Sequence, residues 1–457
     1  MQTFQEACRR ATRFASARLG TFPLTVAALL ALAAPAHAVK IERVVSPGGI
    51  EFWMVRDATV PLISVDFAFR GGTVQDPEDK GGLAEMTVAT LDEGAGELDG
   101  TAFHERLERH AIELQLRANR EHLRGTLRTL KVNQDEAFNL LRLALNEPRF
   151  EAAAVERSRA QIVANLRRQS TNPNSIASRN WWAAAFPGHP YGRPSNGTLE
   201  SVARITADDM RDYARRVLAR ETLKIAVVGD IDPEAAGRHI DRTFGALPAR
   251  PQLHPIPATS MQGLGSRAVF ALNVPQAVVT FGGVGIARKD PDFMAAYIVN
   301  HILGGGSFTS RLYREVREIR GLAYGVNAGL MWFERAAMLI GGTATRAEST
   351  AETIELIENE FRKMATEGPT EDELAKAKTY LKGAFALNLD TSSKIAAQLV
   401  QMQIDDLGID YIERRSAMID AVTLADTRRV AQRLLGSGLL VTVVGRPKGV
   451  TSRGPGG

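Results

Sequence analysis

The sequence predicts an α+β fold of two homologous halves, each a mainly antiparallel sheet covered by helices. An apolar, β-branched run that ends in a glycine turn occurs at residues 223–230 (LKIAVVGD) and again at residues 439–446 (LLVTVVGR). Upstream of each run, a Thr-x-x-Asp sequence typical of a helix N-terminus occurs at residues 206–209 and 423–426. The nearly equal spacing of the two repeats indicates a duplication. Strands and helices form separate runs, which is typical of an α+β layer.

Length and composition indicate a folded protein of two or more domains. The chain has 457 residues, of which 44% are hydrophobic, as in ordinary globular proteins. Its formal net charge is +4, and this mild basicity alone would suggest nucleic acid or an anionic surface as a partner. Cys8 is the only cysteine, so an internal disulfide and a multi-cysteine zinc site are excluded.

Residues 1–38 have the pattern of a cleaved export signal. Residues 22–34 are almost uniformly apolar, and residues 36–38 (AHA) form the small-x-small pattern of a signal-peptidase site. About 13 apolar residues are too few to span a bilayer, so a retained anchor is the weaker alternative. A positive leader precedes the run and contains Arg9, Arg10, Arg13 and Arg18. We therefore expect the mature chain to begin near Val39 and to be periplasmic.

Removal of the export signal changes the net charge and the cysteine content of the chain. It removes four arginines, one glutamate and Cys8, so the net charge falls from +4 to +1. The mature chain is then nearly neutral and free of cysteine, so neither nucleic-acid binding nor thiol catalysis is expected. No other stretch is apolar for long enough to span a bilayer, and we expect no membrane contact after signal removal.

The N-terminal half, residues 39–247, begins with strands and continues with helices. Residues 62–69 alternate apolar side chains on one face, which is the pattern of a half-buried strand. Similar alternation predicts strands near Leu114 and at residues 123–130. Apolar spacing predicts helices at residues 82–92, 133–146, 150–169 and 199–218.

The C-terminal half, residues 265–450, repeats this order. It has a predicted strand at residues 277–285, helices around residues 293–319, and strands near Tyr324 and Met338. Four prolines in residues 248–264 exclude a regular helix there, so this segment is predicted to link the halves. Residues 451–457 form a tail.

Several motifs together resemble the pitrilysin/insulinase family of inverted zincins, which includes mitochondrial processing peptidase. They are GGLAE at 81–85, FPGHPYGRP at 186–194, ITADD at 205–209, VGD at 228–230 and SRLYREVREIRGLAY at 310–324. The last motif is the most specific, and the resemblance covers essentially all of the mature chain. It implies the clam-like peptidase fold of that family.

The resemblance also implies a zinc site, whose residues this sequence lacks. In the family motif His-x-x-Glu-His, two histidines hold zinc and the glutamate deprotonates the metal-bound water. Here the three positions are Glu85, Val88 and Ala89, and Ala164-Asn165 occurs where paired glutamates usually complete the site. We therefore expect neither a catalytic residue nor a bound metal in this chain.

Relocated ligands are the alternative to a lost metal site. His104 and Glu108 lie four residues apart on a predicted helix, close to His110, and such a pair can bind a metal. Charges alternate around this pair, however, which is the usual pattern of a solvated helix face. An active metallopeptidase with relocated ligands is thus the weaker hypothesis.

The resemblance implies a substrate-contacting pair, Arg320 and Tyr324, in the C-terminal half. An arginine fork suits carbonyl oxygens, and a tyrosine hydroxyl can donate to an oxyanion. The alternative is a structural turn at Arg320 followed by a strand aromatic at Tyr324. Gly304, Gly305 and Gly306 are typical of a helix end and tight turn, and could also bring the backbone close to a substrate strand.

Loss of the zinc residues with retention of the Arg/Tyr pair predicts a half-site. The first hypothesis is a non-catalytic, substrate-binding subunit of a periplasmic heterodimeric zinc metalloendopeptidase. A homologous subunit with His-x-x-Glu-His would carry the zinc, and this chain would supply Arg320 and Tyr324 in trans for cleavage of unfolded peptides. The second hypothesis is a peptide-binding or structural assembly protein without proteolysis, like the family's respiratory-complex relatives.

Overall fold

The structure, a computed structural model, describes residues 40–455. The predicted export signal at residues 1–38 lies outside the described residues. Within residues 40–455, no helix is both long and apolar enough to cross a membrane.

The first half contains a six-stranded sheet and a short hairpin. Its strands are β1 Glu42–Val45, β2 Glu51–Arg56, β3 Leu62–Arg70, β4 Gly94–Ala95, β5 Leu98–Asp99, β6 Glu113–Ala118, β7 His122–Leu130 and β8 Lys224–Gly229. The sheet order is β1-β2-β8-β3-β7-β6, and β4 pairs with β5 separately. Its helices are α1 Leu83–Val88, α2 Gly100–Arg109, α3 Gln134–Asn146, α4 Ala152–Thr171, α5 Pro173–Ala185, α6 Leu199–Ala203, α7 Ala207–Val217 and α8 Pro233–Phe244.

The second half contains a five-stranded sheet. Its strands are β9 Arg267–Ala271, β10 Gln276–Val284, β11 Ala323–Trp332, β12 Ala337–Arg346 and β13 Leu440–Gly445, in the order β11-β12-β10-β13-β9. Its helices are α9 Phe293–Asn300, α10 Arg311–Tyr313, α11 Thr350–Glu367, α12 Glu371–Ala386, α13 Ser392–Ile404, α14 Tyr411–Ala421 and α15 Leu424–Leu435.

The two sheets share one topology, which confirms the predicted fold class. Strands β6, β7, β3, β8 and β2 correspond in order to β11, β12, β10, β13 and β9. In each series only the last two strands pair in parallel, namely β8 with β2 and β13 with β9. The register agrees as well, because Phe67 of β3 lies opposite Gly125 of β7 and Phe281 of β10 lies opposite Gly341 of β12.

Each sheet is partly covered by a helix from the other half. α5 packs on β10 and β13, whereas α13 packs on β3 and β8. The Trp181 indole Nε1 donates to the Leu440 carbonyl at 3.1 Å, and the Gln403 Nε2 donates to the Ile225 carbonyl at 2.9 Å. Gly282 makes room for the indole, because a Cβ there would lie 2.4 Å from the ring. The halves therefore share a buried hydrophobic cluster, which includes Trp181, Met338 and Leu440.

Residues 186–194 form a buried junction rather than an open loop. The Tyr191 hydroxyl donates to the Glu121 carboxylate. The His189 Nδ1 accepts the Tyr191 N–H at 3.1 Å, so its Nε2 donates to the Pro257 carbonyl at 3.1 Å. His189 therefore has a structural role in the junction, where it holds the proline-rich segment.

Residues 248–264 contain no helix or strand. Gln75 exchanges two side-chain hydrogen bonds with the His254 backbone, at 2.7 and 3.0 Å. The Gln262 N–H donates to the Ala185 carbonyl at 2.9 Å. This proline-rich segment is therefore held along the first half by specific contacts.

The single helix predicted at residues 199–218 was wrong. α6 ends at Ala203 and α7 begins at Ala207, because Thr206 caps α7 by accepting the Asp209 N–H at 3.2 Å. The helical region at residues 293–319 is also interrupted, by π turns at His301–Gly305 and Arg314–Ile319.

Candidate functional site

α1 and its C-cap residue, Ala89, carry the three positions of the lost zinc motif, and Asp76 fixes the N-terminus of the helix. The Asp76 carboxylate accepts the N–H groups of Gly82 and Ala84, each at 2.9 Å. Gly82 has a φ of 95°, a left-handed conformation that glycine adopts readily. These contacts satisfy two of the free donors at the helix N-terminus and give the Gly-Gly pair of the GGLAE motif a structural role.

Glu85 is the only acid among the three motif positions. Burial raises the pKa of the Glu85 carboxyl to about 7. Burial likewise raises the pKa of Asp76 to about 7, and the nearby Glu85 charge adds to this rise. At neutral pH Glu85 is therefore partly protonated, and a protonated carboxyl is a poor metal ligand.

The other positions do not fit a zinc ion. Val88 is buried and apolar, and Ala89 has no side-chain donor atom. α4, which packs beside α1, has Ala164 and Asn165 in place of acids, and the Asn165 Oδ1 accepts from Arg168. Zinc needs nitrogen, sulfur or carboxylate ligands. In residues 40–455, no group of three or more His, Cys, Asp or Glu residues could hold a metal.

His104 and Glu108 lie on a cavity of about 350 Å³ between α2 and β6. The His104 Nδ1 donates to the Gly100 carbonyl at 2.8 Å. Asp92 also lines the cavity, where burial raises its pKa while His104 acts in the opposite direction. The predicted pair thus shares one cavity, but within the described chain no third ligand completes a metal site.

Arg320 and Tyr324 lie where the second π turn leads into β11, an edge strand. Tyr324 is 84% exposed, and the Arg317 guanidinium lies 4.3 Å from its ring centroid, a cation–π contact. The Arg320 Nη1 lies 2.8 Å from the Glu315 Oε2 in an exposed ion pair. Both predicted side chains therefore reach solvent, and each has a neighbour that restricts its motion.

Gly304, Gly305 and Gly306 end the first π turn against β11. A Cβ at Gly304 would lie 2.8 Å from the Ala328 Cβ, so a side chain there would push the turn away from the strand. This close approach supports the turn interpretation of the three glycines. Their contact with a substrate stays a prediction.

Sequence reasoning missed Asp76, Glu315 and Arg317. Asp76 is separated from α1 by a turn, so its capping role depends on the path of that turn. Glu315 and Arg317 lie inside the 310–324 motif, but ordinary helical spacing does not indicate their contacts with Arg320 and Tyr324. Only the π turn brings these side chains together.

Comparison with known proteins identifies the family. Residues 53–199 match the model described as Insulinase (Peptidase family M16), and residues 204–381 match Peptidase M16 inactive domain. The chain belongs to the M16 family, which confirms the resemblance seen in its motifs. With Glu85, Val88 and Ala89 in place of the zinc motif, it is an inactive member.

Similar proteins include one named a non-peptidase, one named a zinc protease and two solved structures. "Non-peptidase homolog YmxG" of Helicobacter pylori is 28% identical over 335 residues, which cover 73% of this chain and 77% of that protein. "Uncharacterized zinc protease Mb2805c" of Mycobacterium bovis is 25% identical over 413 residues, which cover 90% of this chain and 94% of that protein. The crystal structure of the peptidase M16 inactive domain from Pseudomonas fluorescens is 27% identical in sequence, with a TM-score of 0.84. The match covers 91% of this chain and 99% of that chain. A chain of Complex III2 from Candida albicans, 17% identical, has a TM-score of 0.74 and covers 90% and 96%, which shows a shared fold alone.

Proposed function

We propose that this chain is the non-catalytic, substrate-binding subunit of a heterodimeric zinc metalloendopeptidase. A homologous subunit with His-x-x-Glu-His would supply the metal site, and this chain would supply Arg320 and Tyr324 in trans. One observation carries the proposal: α1 lacks every motif residue, while Tyr324 remains 84% exposed beside the exposed Arg320. At this exposure both side chains are accessible to a peptide in solution.

An unfolded peptide offers suitable partners to both side chains. The Arg320 guanidinium is permanently charged and can donate two parallel hydrogen bonds to carbonyl oxygens. The Tyr324 hydroxyl can donate to a carbonyl oxygen, and this bond strengthens as the oxygen gains negative charge. Arg317 and Glu315 restrict the two side chains beforehand, so less conformational entropy is lost on binding.

The test compares this chain, its homologous partner and their mixture. Zinc content and cleavage of an unfolded peptide are measured for all three samples, and cleavage is expected to be fast only in the mixture. Arg320→Ala and Tyr324→Phe should each lower kcat/KM of the mixture by about 10- to 100-fold without dissociating it. Arg362→Ala, at an exposed arginine of α11, is the matched control and should leave kcat/KM unchanged.

Two results would contradict the proposal. Unchanged kcat/KM in both variants would leave Arg320 and Tyr324 with a structural role in the turn. Stoichiometric zinc together with cleavage by the lone chain would make it an active peptidase with relocated ligands.

The alternative is a peptide-binding or structural assembly protein that never cleaves. It is supported by the same loss of all zinc-motif residues, since binding and assembly need no metal site. Stable capture of an unfolded peptide or of the homologous chain, with no cleavage in the mixture, would favour it.

We also propose a periplasmic location, supported by the export-signal pattern of residues 1–38. Protein released from the periplasm by osmotic shock should have an N-terminal sequence that begins at Val39. Recovery of the full-length chain from the cytoplasm or the membrane fraction would contradict this location.

A further inference from the structure

A cavity of about 560 Å³ lies where the end of α13, from the second half, meets β1, β2 and the start of β8. Its lining includes Ile50, Trp53 and Arg220 from the first half and Met402 from the second. Clefts of this volume between structural units are common sites for small ligands. This cavity includes neither the lost zinc positions nor the Arg320/Tyr324 turn.

Two cations of the cavity have no anionic partner. Among the ion pairs of residues 40–455, none includes Arg220 or Lys224, and the buried Nε of Arg220 has no hydrogen-bond partner. The Arg220 Nε has almost no accessible surface, so a ligand in the cavity would be held by the Arg220 Nη groups and the Lys224 ammonium.

The acidic residues of the cavity form no ion pair with Arg220 or Lys224. The Glu51 carboxylate is paired with Arg43 at 2.5 Å. The Asp406 carboxylate is paired with Lys289 at 2.6 Å, and Lys224 acts on it only from beyond ion-pair distance. Glu221 is exposed. Glu221 likewise has no ion pair within residues 40–455, so the unpaired charges that line the cavity are two cations, Arg220 and Lys224, and one anion.

Part of the remaining wall is apolar, beside the polar side chain of Gln403. Ile50, Trp53, Leu223 and Met402 line the cavity, and each is less than 9% exposed. A fully hydrated anion such as inorganic phosphate would gain nothing from these walls, whereas a ligand with an apolar body would bury surface against them.

We propose that this cavity binds a small amphipathic carboxylate. Its carboxylate accepts hydrogen bonds from Arg220 and Lys224, and its apolar body lies against Trp53 and Ile50. Arginine favours carboxylates because two parallel N–H groups match two oxygens. The free C-terminus of a short apolar peptide and a fatty acid share this chemistry.

Isothermal titration of the purified protein tests the proposal with three probes: N-acetyl-Leu-Phe, its C-terminal amide, and octanoate. At least one acid should bind at one site per chain, and the peptide acid should bind at least about tenfold more tightly than the amide if the peptide is the source. Arg220→Gln and Lys224→Gln should each weaken binding by about tenfold. Arg215→Gln, at an exposed arginine of α7 outside the cavity, should bind like the wild type.

Binding of octanoate alone would identify a fatty acid as the source, and binding of the peptide acid alone would identify a peptide C-terminus. Equal affinity for the peptide acid and its amide without octanoate binding would overturn the proposal, as would no binding of either acid up to about 10 mM. Circular dichroism establishes that each variant is folded, and Lys224→Gln carries the test if Arg220→Gln unfolds.

Discussion

The Glu121 carboxylate of the first half accepts the backbone N–H of Glu334 in the second half at 2.9 Å. The Tyr191 hydroxyl donates to the same carboxylate and accepts the Arg335 N–H at 3.2 Å. Arg70 pairs with the Glu334 side chain at 2.5 Å. The turn between β11 and β12 is therefore fixed by a buried acid from the other half, which also positions the edge strand that carries Tyr324.

Removal of one hydroxyl should weaken this junction measurably. Tyr191→Phe leaves the buried Glu121 carboxylate with one donor fewer, so the free energy of unfolding should fall by about 1–3 kcal/mol in urea denaturation. Tyr380→Phe, at a tyrosine that is 54% exposed, is the control and should change it by less than about 0.5 kcal/mol. Equal stability of the two variants would mean that the junction contributes little.

The exchange of helices between the sheets predicts that the halves unfold together. Trp181→Ala leaves a cavity between α5 and the second sheet, so the free energy of unfolding should fall by about 3–5 kcal/mol. Circular dichroism and tryptophan fluorescence should report one coincident transition. Leu199→Ala, at a leucine that is 40% exposed, should have a much smaller effect. Two separate transitions in the wild type would be inconsistent with a shared core.

Glu85 predicts a pH dependence of stability. Its carboxyl stays protonated up to about pH 7 in the folded chain, but ionises near its ordinary pKa of 4.5 when unfolded. Between these values the folded state binds more protons, so this group's contribution to the free energy of unfolding falls as pH rises. Glu85→Gln should therefore gain stability relative to the wild type from pH 4.5 to 7. Urea denaturation of both proteins at several pH values measures this difference, and a difference that does not change with pH would refute the raised pKa.

The side chains at the motif positions predict that the chain binds no zinc and that its stability does not depend on zinc. Valine and alanine offer zinc no ligand atom, and a single half-protonated carboxyl binds it weakly. After dialysis against zinc and then buffer, metal analysis should find far less than one zinc per chain. EDTA should also leave the thermal unfolding midpoint unchanged. A midpoint that falls on chelation, with zinc near one per chain, would reveal a site that these residues do not explain.

The lost zinc site was predictable from sequence, whereas its surroundings were not. Glu85, Val88 and Ala89 are identified by the resemblance of the surrounding motifs to the family, which needs no three-dimensional information. The cap that Asp76 provides and the stacking of Arg317 on Tyr324 depend on turns whose path is set by packing. Apolar periodicity cannot distinguish a π turn from an ordinary helix, so residues 293–319 were expected to be more regular than they are.

The sequence by itself determined the duplicated α+β fold and the absence of the zinc ligands. Both follow from patterns within short segments: the repeated strand that ends in glycine, and the residue types on α1. Only the tertiary structure decided which sheet each helix covers, and thus where the cavity beside Arg220 forms. An apolar helix face requires burial, but many surfaces could bury it. Trp181 packs on the opposite half because Gly282 leaves a gap that fits the indole, and such complementarity between distant segments exists only in the folded chain.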